Sequence, residues 1–93
     1  MGTIEIDGHY LEGYAIPTTN SVILIVKAPL GFLGCGYFSL GTAEKVGDAT
    51  VIVSGVKNFE DMLNAKVKGF SPAAAALGIT TEMNGREALL KLI

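Results

Sequence analysis

The sequence predicts an α+β domain with a mixed sheet that begins in antiparallel hairpins and short helices packed mainly on one face. Three observations predict it. Alternating apolar runs broken by turn residues fill the first 40 positions, short capped segments closed by glycine begin at Gly41, and the two kinds of segment intermingle only in the second half. With 93 residues and no linker, internal repeat or low-complexity tract, one domain covers residues 1–93.

The first strand is Thr3 to Ile6, followed by the turn signal Asp7-Gly8 and a second extended run from Tyr10 to Ile16, ended by Pro17. Ser21 to Lys27 and Phe32 to Ser39 then flank Ala28-Pro29-Leu30-Gly31. There Pro29 presets the first turn position and Gly31 can take a left-handed backbone, so the segment reads as a hairpin. A two-residue tip at Pro29-Leu30 pairs Leu33 with Val26, Cys35 with Leu24 and Tyr37 with Val22; a bulge at Gly31 would slip this register by one. In the second half, Thr42 caps a short helix from Ala43 to Val46 that Gly47 closes, and the β-branched run Ala49 to Val53 reads as a buried strand. Asn58 with Asp61 resembles a capping box that opens a helix from Phe59 to about Ala65, and Lys66 to Phe70 is a candidate short strand. Ser71 caps a helix with Pro72 at its first position, four alanines and Gly78 as its stop, because proline's missing N–H is unused there. Asn84, with Glu87 three residues on, caps the last helix.

Composition bounds the partners. Hydrophobic residues make up 49% of the chain and charged ones 17%, against roughly 25% charged in an ordinary domain. So few charges cannot cover the outside, and large bare apolar patches are uncommon on monomers, so self-association is expected, with glycine-lined and apolar strand faces as the contact. The run Val22 to Val26 is apolar on both faces and needs cover on both. It is also the longest apolar run, far short of the ~20 residues that span a bilayer. Met1 to Asp7 does not read as a basic-then-apolar leader, so no secretory signal is expected, and a single cysteine makes a reducing cytoplasm the expected compartment. A net charge of −2 with no basic block argues against nucleic acid as a partner.

Several blocks together resemble the YunC-like proteins of bacteria and archaea. They are Gly13 to Pro17, Cys35-Gly36-Tyr37, Thr42 to Ala49, Ser54 to Lys57 with Phe59, Asp61-Met62-Leu63, Ala65-Lys66-Val67 and Gly85 to Leu89, in order over nearly the whole chain. The resemblance implies a compact α/β fold. That family is a domain of unknown function, so the resemblance supplies no catalytic residues.

Candidate chemistry is sparse. Cys35, the only cysteine, shares a strand face with Leu33 and Tyr37, while Gly34 and Gly36 form a trough beside Ile23 and Ile25 into which a helix or a second subunit could press. Apolar neighbours favour a neutral structural thiol; the competing reading is a thiol-dependent enzyme in which His9, Lys45 or Lys57 assists Cys35, although spacing places none of them beside it. A second candidate is the loop Ser54 to Asn58, which runs from a strand into a helix start where a small anionic metabolite could bind through Ser54, Gly55, Lys57 and Asn58, with Arg86 as a further cation. It lacks the ending of a P-loop, and no dinucleotide fingerprint follows any strand, so no cofactor is expected. Glu44, Asp48, Glu60 and Asp61 read as a solvated face with caps. One cysteine and one histidine cannot make a typical zinc site, and no EF-hand loop or triad motif is present.

Overall fold

The computed structural model describes residues 2–93. Six strands form one sheet in sequential order, β1 (Gly2–Ile6), β2 (His9–Pro17), β3 (Val22–Ala28), β4 (Gly31–Gly34), β5 (Ala49–Ile52) and β6 (Gly69–Phe70). The helices are α1 (Leu40–Val46), α2 (Phe59–Asn64), α3 (Pro72–Ala76) and α4 (Gly85–Lys91). The mixed α+β architecture is the one expected, with β1 to β4 joined by hairpins, β4 and β5 parallel, and β6 antiparallel to β5.

The hairpins follow from their turns. Asp7 and Gly8 both take positive φ, 50° and 86°, the conformation that matches the twist of the flanking strands. Pro29-Leu30 is a two-residue tip between paired Ala28 and Gly31, and Leu33 lies opposite Val26 as the sequence predicts. Gly31 does not take the left-handed conformation expected of it. It is needed because a Cβ there would stand 2.0 Å from the Ala49 carbonyl oxygen on β5. The expected strand to Ser39 is also corrected. β4 ends at Gly34, and the chain turns at once, Phe38 N–H donating to Cys35 O at 3.2 Å, so Tyr37 never pairs with Val22.

Helix ends obey their caps. Ser39, not Thr42, caps α1, its hydroxyl accepting from Thr42 N–H, and Gly47 closes the helix at φ 81°. Asn58, Ser71 and Asn84 cap α2, α3 and α4 as the sequence predicts, the last in a complete capping box with Glu87. The candidate strand from Lys66 shrinks to Gly69-Phe70, with Lys66 bridging to Asn84 instead.

The core lies on one side of the sheet. Ile4, Leu11, Leu24, Val26, Leu33, Val51 and Val53 meet Met62 of α2, Ala74 of α3 and Ala88, Leu89 and Leu92 around α4. Burying each large aliphatic side chain there contributes roughly 1.5–3 kcal/mol. Among the described residues the other side carries only α1, whose Leu40 reaches Gly69 and whose Ala43 is buried. Over Gly34 the chain supplies its own filling, because the Phe38 ring sits where a Cβ would be, 2.6 Å away, and packs edge-on against Phe32. The glycine trough is therefore closed at Gly34 by Phe38 of the same chain rather than left for a second subunit.

Candidate functional site

Among the described residues only β4 and β5 run parallel, and the chain leaves their ends in opposite directions. From β4 it turns through Cys35 to Phe38 and passes to α1 on the thinly covered face. From β5 it runs through Ser54 to Asn58 and passes to α2 on the core face. Connections that diverge from neighbouring parallel strands open a crevice at the strands' carboxyl ends, the position where open α/β sheets hold ligands. A cleft of about 380 Å³ lies there, lined by Cys35-Gly36-Tyr37 from one loop, Ser54-Gly55-Val56-Lys57 from the other, and Ser21 and Val22 at the start of β3.

The two sequence candidates thus share one cleft. Cys35 is 4% exposed and pairs with Leu24 as the sequence predicts. Its N–H donates to Leu24 O at 3.1 Å and its Sγ accepts from Leu24 N–H at 3.3 Å. The thiol is thus tied into the sheet beneath the cleft. Lys57, which no spacing placed near it, lines the same cleft, whereas His9 and Lys45 do not.

The loops that line the cleft leave backbone polar groups unpaired, and the one charged side chain among the lining residues is Lys57. The backbone N–H groups of Gly36, Tyr37, Ser54, Gly55 and Val56 meet no protein acceptor among the described residues. Gly55 takes φ 71°, which a side chain would strain. No carboxylate lines the cleft, and among the described residues the Lys57 ammonium has no carboxylate within salt-bridge reach. Ser21 and Ser54 add hydroxyls, and the Tyr37 hydroxyl stands 3.3 Å from Thr18 Oγ1. The start of α2 is not part of this set. Asn58 Oδ1 accepts from Asp61 N–H at 2.8 Å, Asp61 Oδ2 accepts from Lys57 N–H at 3.1 Å, and Glu60 and Asp61 add negative charge to the first turn. Asn58 is a cap, and the free donors lie upstream of it.

Arg86 stands elsewhere. In the first turn of α4 its Nη2 meets Asp7 Oδ1 at 2.5 Å, at the β1–β2 turn, with both side chains about half exposed. The structure does not bring it to Ser54 to Lys57. Glu44 and Asp48 are separated by the Gly47 cap, and among the described residues no group of three His, Cys, Asp or Glu side chains could hold a metal ion. No helix among them is long and apolar enough to cross a membrane.

Sequence reasoning missed Ser21, Val22, Gly36 and Tyr37 as lining residues. The signal was present in Gly36-Tyr37, a turn pair read as strand because aromatics surround it.

Residues 34–92 match the profile of a family described as a domain of unknown function (DUF1805), a stretch that contains both cleft loops. The chain is 28% identical over 94 residues to an uncharacterized protein of Bacillus subtilis, YunC, the match taking in 97% of this chain and 93% of that one. A crystal structure of a protein of unknown function from Thermoplasma acidophilum is similar over 99% of this chain and 90% of its own, with a TM-score of 0.93 and 37% identity.

Proposed function

This chain belongs to the family described as a domain of unknown function, DUF1805, and on that premise we propose, from the site alone, that the domain binds a small anionic metabolite in the cleft between the β4–α1 and β5–α2 loops. One observation carries the reading: at the carboxyl ends of the parallel pair, a concave site combines a run of unpaired backbone N–H groups with Lys57 and excludes every carboxylate. Such a set fits a carboxylate or phosphate group, whose oxygens accept from several N–H donors at once. Val22, Val56 and the Tyr37 ring supply apolar wall for the rest of a small molecule.

Thermal denaturation tests it. Inorganic phosphate, phosphorylated metabolites and small carboxylates are screened for a rise in Tm, and Lys57→Ala removes the rise given by any of them. No rise across the set, or a rise that survives in Lys57→Ala, contradicts the reading.

A thiol-dependent reaction at Cys35 is the second reading, supported by the shared cleft. The bond from Leu24 N–H to Sγ weighs against it, because it holds the sulfur in the sheet. Alkylation in the folded state separates the two. A structural thiol reacts far more slowly than free cysteine, and an exposed nucleophile does not.

A further inference from the structure

The side of the sheet opposite the core is half built. α1 covers β4 and β5, while β1, β2 and β3 turn an uncovered floor outward. Tyr14, Ile16, Ile23 and Ile25 form its apolar centre, in cross-strand pairs Tyr14–Ile25 and Ile16–Ile23. Ile16 is 57% exposed and Ile23 and Ile25 are half-buried. A helix is about 10 Å across and strands lie about 4.8 Å apart, so one helix covers roughly two strands. The chain supplies this face with one helix where the floor has room for a second.

We propose that the second helix is α1 of another copy of this chain, in a twofold dimer whose axis runs along the strands beside Val46. Each α1 then lies on the other chain's β2–β3 floor, and the two helices side by side fill the layer between the sheets. Three observations select a second copy over an unrelated partner. Val46, at the end of α1, is 67% exposed beside the groove that Phe32 and Phe38 line, so the axis buries an apolar side chain left bare in the monomer. Asp48, which also lines that groove, borders a neighbouring one with Lys27 and Phe32 at one end of the sheet. An axis along the strands preserves that level, so each chain's Lys27 meets the other's Asp48, an arrangement in which one surface complements itself. The two longer extents of the molecule, 34 and 31 Å, outline an ellipse of roughly 800 Å², so the molecule is large enough to contribute the ~800 Å² that each partner gives to a standard interface.

Sedimentation equilibrium or light scattering at micromolar concentration tests it. The wild-type chain runs at twice its 9.7 kDa mass. Ile16→Glu, at a position already exposed, runs as a monomer with an unchanged circular dichroism spectrum. Lys27→Asp weakens the dimer through repulsion from Asp48, and the double variant Lys27→Asp with Asp48→Lys restores it. A wild-type monomer, an Ile16→Glu dimer, or a double variant no tighter than Lys27→Asp alone overturns the proposal.

Discussion

The two sides of the sheet are built from the same strands and differ in nearly everything else. One is sealed by α2, α3 and α4 over fully buried Leu24, Val26, Leu33, Val51 and Val53. The other has α1, one ring contact between the partly buried Phe32 and Phe38, and a floor of half-exposed tyrosine and isoleucine. Stability is therefore concentrated on one side, which leaves the other free for association. The cleft lies where the chain passes to both sides from adjacent strands, so it draws its lining from both.

The largest test of that contrast is a pair of truncations. Leu33→Ala removes a fully buried side chain between Val26 and Val51 and is expected to cost about 3 kcal/mol in urea unfolding. Ile25→Ala, half-buried on the other side, is expected to cost about 1 kcal/mol or less in the monomeric Ile16→Glu background, because less area leaves water. Equal losses would erase the distinction. Phe38→Ala sharpens it, since this ring fills the space over Gly34, and its removal should cost about 2 kcal/mol, less than a core aromatic because the ring is only partly buried.

Thr50 gives a smaller effect of opposite sign. It is fully buried on the α1 side, and its Oγ1 has no hydrogen-bond partner. Thr50→Val keeps the shape and removes the stranded hydroxyl, so it should raise stability by about 1 kcal/mol, read as a higher urea midpoint at constant slope. A loss would mean that the hydroxyl is satisfied in solution.

The smallest effect is on pH dependence. Tyr14 donates to the Glu12 carboxylate on the open floor, and this hydrogen bond, with lesser help from desolvation and from the Glu12 charge, holds its phenol above the usual value. A raised pKa means that the folded state keeps the proton more firmly. Its small contribution is present below the unfolded pKa and fades as pH rises through the folded one, so the loss falls in the alkaline range. Tyrosinate absorbance should show the Tyr14 phenol losing its proton later in the wild-type chain than in Glu12→Gln.

Local rules carried much of this fold in the sequence. Asp7-Gly8, Pro29-Leu30, the caps at Asn58, Ser71 and Asn84 and the stop at Gly47 act over a few residues, and each stands where its chemistry puts it. Failures came where distant segments meet. Gly31 reads as a turn residue in the sequence because its contact, the Ala49 carbonyl, lies 18 positions away across a parallel pairing that no local pattern announces. The strand through Tyr37 was overextended because GFLGCGYF has strand composition, yet Gly36-Tyr37 turns so that Phe38 can fold back over Gly34. The site was legible as residues and not as a place. Cys35 and Ser54 to Lys57 both stand out in the sequence, and only the β4–β5 pairing shows that they face one cleft, while Arg86 goes to Asp7.

Amide NMR during titration with the anion that gives the largest rise in Tm reports where the anion binds as well as whether it does, and so decides whether the cleft is an anion site. Binding in the cleft gives saturating shifts concentrated at Gly36, Tyr37, Ser54, Gly55 and Val56 and lost in Lys57→Ala. Shifts centred on Arg86 and the Asp7-Gly8 turn, or scattered over exposed lysines without saturation, would contradict it.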